Sequence, residues 1–125
     1  MKIQTDRMLS AADDATTLLK ALANRRRLVI ICQLLEKERS VGELAALLKA
    51  RDSTVSQHLA ILRKDGLVAA RRDAQTIWYS IASEAAREVV AALYRAYCAS
   101  ACAPAAPKRA KPAKRARRRN LEPSQ

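Results

Sequence analysis

A mainly α-helical domain closed by a small β-hairpin, about five helices with a two-stranded ribbon, is the fold class this chain predicts. Three observations carry that expectation. Apolar residues recur at helical spacing in successive stretches between residues 9 and 102. Over residues 67–81 the spacing changes to alternation. Finally, a chain of 125 residues, 50% of them apolar, has room for one domain and a tail.

The first helix is expected over residues 9–23, where Leu9, Ala12, Leu19, Leu22 and Ala23 share a stripe and Asp13 and Asp14 stand opposite. Asn24 caps a second helix running to about Lys37. There Leu28, Ile31, Cys32 and Leu35 recur at i, i+3, i+4 and i+7, which places Cys32 on the buried face. Ser40 opens the third helix: Ser40-Val41-Gly42-Glu43 has capping-box spacing, and Leu44, Ala45, Leu47 and Leu48 follow. Asp52 or Ser53 caps the fourth, with Val55, Leu59 and Leu62 pointing inward. Gly66 stops it. Residues 67–72 and 76–81 then read as two strands joined through Asp73-Ala74-Gln75, with Arg71 and Arg72 beside the turn. Ser83 and Glu84 start a last helix through about Cys102, whose apolar face is Val89, Val90, Leu93, Tyr94 and Tyr97. Pro104 and Pro107 end it.

With only Trp78, Tyr79, Tyr94 and Tyr97 as aromatics, the core must be built from Leu, Ile, Val and Ala. The net charge is +12, and its distribution is informative. Residues 104–125 hold eight of the 24 basic residues and one of the 12 acidic ones, which leaves +5 on residues 1–103. A basic folded part points to nucleic acid or an anionic membrane surface as partner. Residues 1–103 are expected to form the folded domain. Residues 104–125 are expected to be a disordered basic tail that adds sequence-independent affinity for DNA. The start of the chain has no secretory pattern and nothing approaches a membrane-spanning apolar run, so a cytoplasmic protein is expected. Three cysteines, an odd number, argue against a structural disulfide framework and leave buried filler, metal ligands or redox-active thiols.

Helix, short turn, helix and basic hairpin, in that order, make a winged helix-turn-helix, whose second helix enters the major groove of double-stranded DNA. The fourth helix suits that role. Ser53, Thr54, Ser56, Gln57 and His58 fill its first two turns with short hydrogen-bonding side chains, while Val55 and Leu59 hold it to the core. Gln57 matches an adenine edge, and Arg63 reaches phosphate. Arg71 and Arg72 on the wing suit the backbone or the minor groove. An enzyme is not expected. His58 has only exposed, unactivated hydroxyls near it, and Gly42 and Gly66, the only glycines, cannot make a phosphate loop.

Three segments together resemble the ArsR/SmtB family of bacterial repressors. They are Leu22-Ala23-Asn24-Arg25-Arg26-Arg27-Leu28, Val41-Gly42-Glu43-Leu44-Ala45, and the run from Ser53 through Ser56-Gln57-His58-Leu59 to Gly66-Leu67-Val68. The likeness covers roughly residues 9–102. It implies a homodimer joined by the first and last helices, an inverted-repeat operator, release on meeting an inducer, and Ser56, Gln57 and His58 facing DNA. The basic tail is not part of the family pattern.

Family members differ in what they sense. The single histidine, His58, leaves no His-rich metal site, and residues 41–55 contain no cysteine for an arsenite site there; no cofactor is expected. The contexts of Cys32, after Arg27-Leu28-Val29-Ile30-Ile31, and of Cys98, after Ala92-Leu93-Tyr94-Arg95-Ala96-Tyr97, are similar to the subgroup that senses persulfides and related sulfur oxidants (BigR/SqrR-like). That resemblance implies a disulfide or polysulfide bridge between Cys32 and Cys98, with reactive sulfur species as inducer. Two other readings stand beside it. Cys32, Cys98 and Cys102 together make a three-thiolate site for arsenite or another soft ion. Silent cysteines in a constitutive architectural DNA binder are the other.

Overall fold

The structure, a computed structural model, describes residues 1–99. The chain divides into two compact units, Met1–Ala91 and Ala92–Gln125. The first unit runs α1 (Thr5–Leu22), α2 (Arg25–Glu36), β1 (Arg39–Ser40), α3 (Val41–Leu48), α4 (Asp52–Lys64), β2 (Val68–Asp73) and β3 (Thr76–Ile81). It also holds most of α5 (Glu84–Tyr94). The strands form one antiparallel sheet in the order β1-β3-β2. This is the expected winged helix-turn-helix, with five helices and one strand more than expected.

Local chemistry sets the joints. The Asn24 side chain accepts hydrogen bonds from the backbone N–H groups of Arg26 (3.0 Å) and Arg27 (3.1 Å), so two otherwise unpaired donors at the start of α2 are satisfied. Arg27 Nε donates to the Ala21 carbonyl at 2.7 Å and ties the end of α1 to α2. Ser40 and Glu43 form the reciprocal capping box at α3. Ser83 Oγ accepts from the Ala86 N–H at 3.0 Å and starts α5.

The core joins Ile30, Ile31 and Leu34 of α2, Leu44 of α3, and Val55, Leu59 and Leu62 of α4. Val68 and Ile81 of the sheet and Ala86 and Val90 of α5 complete it. It is aliphatic, as the scarcity of aromatics requires.

Several expectations are corrected. The first helix begins earlier, at Thr5, and of its stripe Leu22 is buried while Leu9 and Leu19 remain 69% and 56% exposed. Within one chain α1 is buried only at its last turn, at Ala21 and Leu22. Burial on α2 centres on Ile30, Ile31 and Leu34, so Cys32 sits half-buried at the margin of that face. The N-cap of α4 is Arg51, with no side-chain cap; Asp52 lies inside the first turn, where its charge suits the helix dipole. The chain at Arg39–Ser40 pairs with Tyr79 and Trp78 as a third strand, too short to show a period.

In the second unit the last turn of α5 passes into a π-helical turn, Arg95–Ala99. One extra residue per turn moves the side chains off the α-helical stripe. Tyr94 and Tyr97, expected on the apolar face, are exposed, as is Cys98. The end of that helix near Cys102 and the boundary at 103/104 lie outside the described residues.

Candidate nucleic-acid interface

The α3–α4 pair is joined by residues 49–51. Lys49 takes the left-handed conformation (φ 54°). Its N–H bonds the Ala46 carbonyl at 3.3 Å, while the Ala50 N–H bonds Ala45 at 3.0 Å, which closes α3 and turns the chain into α4. Val55, Leu59 and Leu62 are fully buried and fix the helix against the core. At its far end Gly66 (φ 80°) donates to the Arg63 carbonyl at 3.0 Å, and the Leu67 N–H reaches Leu62 at 2.9 Å. This doubly bonded stop returns Leu67 to the core and feeds the chain directly into β2. The reading helix and the wing are therefore held by one rigid joint.

At about 100° per residue, Ser53, Gln57, Ala60 and Lys64 point away from the three buried anchors, with Ser56 beside them. Ser53, Ser56 and Gln57 are exposed and make no side-chain hydrogen bond among the described residues. Their donors and acceptors are available to a ligand. The face is flat, polar and short-chained, as contact with base edges demands. Arg63 stands on one flank of this face, in a cleft of about 440 Å³ lined also by Ser56, Ala60, Lys64 and Tyr79. Thr54 and His58 stand on the opposite flank and are half-buried.

His58 is thus not on the centre of the reading face. Its Nδ1 is buried without a hydrogen-bond partner among the described residues. Burial, and then the nearby charges of Arg27 and Arg26, hold its pKa below the ordinary histidine value, so the ring is neutral at neutral pH.

On the wing, β2 and β3 pair in register from Val68↔Ile81 to Asp73↔Thr76, with Ala74 at φ 59° in the tight turn. The two arginines differ. Arg71 donates from Nε (3.1 Å) and Nη2 (2.7 Å) to the two carboxylate oxygens of Glu38, a forked pair across 33 residues of sequence. That guanidinium lowers the pKa of Glu38 through hydrogen bonding, and Glu38 in turn raises that of Arg71. Arg72 is exposed and unpaired among the described residues.

The structure therefore sets Ser53, Thr54, Ser56, Gln57, His58 and Arg63 on one helix, and Arg71 and Arg72 on the strand that follows it. Sequence reasoning missed Lys64, Tyr79 and Glu38, and also Arg25 and Arg26, which stand exposed at the start of α2. The Arg25-Arg26-Arg27 triplet was the available signal; only Arg27 is used inside the fold.

A core-anchored polar helix with a basic wing defines a winged helix-turn-helix DNA-binding regulator. The chain belongs to the bacterial regulatory protein, arsR family, whose model matches residues 24–70. It is 51% identical over 84 residues to the transcriptional activator HlyU of Vibrio cholerae, covering 67% of this chain and 78% of the relative. It is 44% identical over 92 residues to the biofilm growth-associated repressor of Agrobacterium fabrum, covering 74% and 79%. Among solved structures, the transcriptional repressor BigR from Xylella fastidiosa superposes with a TM-score of 0.72 at 36% identity, covering 77% of this chain and 98% of that one. Reduced HlyU from Vibrio cholerae gives 0.71 at 48% identity, covering 74% and 97%. The homodimeric winged helix-turn-helix DNA-binding domain of Mb0332 from Mycobacterium bovis gives 0.64 at 35% identity, covering 77% and 89%. These relatives are transcriptional regulators, a DNA-binding family that is not enzymatic. Among the described residues no helix is long and apolar enough to cross a membrane.

Proposed function

We propose that this chain is a homodimeric repressor that reads an inverted-repeat operator through α4 and leaves it when Cys32 and Cys98 become bridged. The observation that carries the DNA-reading half is the exposed polar face of Ser53, Ser56 and Gln57 on a helix whose opposite side is fully buried. Ser53, Thr54, Ser56, Gln57 and His58 meet the groove and its edges. Arg63 and Arg72 hold phosphate, and Arg71 joins them once Glu38 releases it. Dimerisation is supported by the homodimeric Mb0332 domain and by the apolar side chains Met8, Leu9 and Leu19 left exposed on α1.

The switch rests on the resemblance to persulfide sensors and on the likeness to BigR and to reduced HlyU. Cys98 is exposed and Cys32 half-buried, so Cys98 takes the first step. Its thiolate attacks the outer sulfur of a low-molecular-weight persulfide, RSSH, giving Cys98–SSH and releasing RS⁻. The Cys32 thiolate then attacks the inner sulfur, forming the Cys32–Cys98 disulfide and expelling HS⁻. Two thiolates have lost two electrons, and the sulfane sulfur has become sulfide. If a further persulfide donates sulfur first, the bridge is a polysulfide. Covalent linkage of the second and last helices alters the spacing of the two reading helices against a fixed operator repeat.

Electrophoretic shift of a duplex selected by the protein from random sequence tests this. The reduced protein is expected to bind tightly and the persulfide-treated protein weakly, with intact mass showing a bridge that Cys32→Ser or Cys98→Ser abolishes. Cys102→Ser is expected to leave the response intact. Unchanged affinity after treatment would refute the switch and leave DNA reading standing.

A further inference from the structure

We propose that the cleft between the start of α2 and the flank of α4 seats a backbone phosphate of the DNA duplex, held by Arg25, Arg26 and His58. The inference rests on the DNA-reading half of the proposed function and adds a site outside the reading helix and the wing. The cleft holds about 700 Å³ and is lined by Asn24, Arg25, Arg26, Val29, Leu48 and His58. It has no acidic lining residue, and its two arginines are exposed and form no ion pair among the described residues. Arg27, the third of the triplet, is spent on the Ala21 carbonyl and does not compete for the same ligand.

The site is made of side chains, not of the helix end. The Asn24 oxygen already occupies the N–H groups of Arg26 and Arg27. An anion entering the cleft therefore meets two guanidinium groups and an imidazole over the apolar surface of Val29 and Leu48. Partial exclusion of water strengthens each charge-assisted hydrogen bond. His58 fits this use. Its Nδ1 is buried and has no partner, whereas Nε2 is neither buried nor bonded among the described residues. Donation from Nε2 to a phosphate oxygen requires the proton there, which leaves the buried Nδ1 as a bare lone pair.

Geometry supplies the source of the phosphate. Gln57 lies near the centre of the exposed face of α4; one residue on, His58 is turned by about 100° toward one flank. Arg63 and the cleft at Tyr79 occupy the other. A helix lying in the major groove is bounded by a phosphate backbone on each side. The two clefts are placed to meet those two backbones.

The test is fluorescence anisotropy on the selected duplex and on a scrambled one, over 50 to 200 mM salt, roughly the range in which phosphate contacts dominate. The Arg25→Gln/Arg26→Gln variant is compared with Arg7→Gln/Lys20→Gln, which removes the same charge from exposed positions on α1. The slope of log K against log salt is expected to fall by about 1.8 for the cleft variant, about 0.9 per lost contact, on both duplexes and with their affinity ratio preserved. Arg25→Lys/Arg26→Lys is expected to retain most of the slope. His58 is the one histidine of the chain, so its ring nitrogen signals are unambiguous, and they are expected to move when duplex is added. A slope equal to that of the wild type or of the α1 control, or unmoved His58 signals, would overturn the cleft while leaving DNA reading in place. A wild-type protein that binds neither duplex would overturn both.

Discussion

Gln57→Ala separates reading from folding. Gln57 is exposed on the face of α4 opposite Val55, Leu59 and Leu62, and no hydrogen bond holds it. Its truncation should therefore change stability by no more than about 0.5 kcal/mol. On DNA the arithmetic is different. A side-chain amide paired with a base edge contributes about 1–3 kcal/mol of discrimination, and in a dimer two distant copies add to about 2–6 kcal/mol. The selected duplex should lose affinity by a factor on the order of 30 to 10⁴, while scrambled duplex is bound as before. The counterpoint is Leu59→Ala: removing a fully buried leucine costs about 2–5 kcal/mol of folding free energy. Anisotropy on both duplexes, with urea denaturation of each variant, makes the comparison. If Gln57→Ala weakens both duplexes equally, or leaves both unchanged, the residue does not read bases.

Three smaller perturbations follow from the same geometry. Glu38→Gln removes the carboxylate that forks onto Arg71; affinity for any duplex is expected to rise and the salt slope to steepen by about 0.9, checked by a salt series. Ser40→Ala deletes one half of the capping box at α3 and is expected to cost about 1 kcal/mol, which lowers Tm by roughly 4–8 °C in a scan of a domain this size. The pKa of His58 is depressed in the fold, so the unfolded chain takes up the proton first as pH falls. Its contribution to stability is present above the ordinary value of 6.5 and is lost as pH drops through the lower folded value. Urea midpoints should fall on acidification from about pH 7.5 to about pH 5.5, and less steeply in His58→Gln; parallel lines for the two proteins would contradict this.

The fold was legible because its punctuation is local. Asn24 and Ser40-Val41-Gly42-Glu43 are caps that act within four residues, and Gly66 marks a stop that only a left-handed position explains. The hairpin announced itself by a change of period. What sequence could not show was long-range. Glu38 and Arg71 meet across 33 residues, and nothing in either neighbourhood signals the pair. The rotation of His58 toward α2 depends on the angle at which α4 docks, which spacing does not encode. Leu9, Leu19, Tyr94 and Tyr97 were read as core because apolar periodicity reports that a face is to be covered, not by what. Within the one chain, all four remain exposed.

Protection of DNA by the intact, reduced protein tests the groove-reading role of α4 most directly. Nuclease footprinting on a long fragment carrying the selected sequence is expected to give one protected inverted repeat, its half-sites about one helical turn apart, and Gln57→Ala is expected to erase it. Even protection along the fragment, indifferent to sequence and to Gln57, would mean that the polar face of α4 does not read DNA.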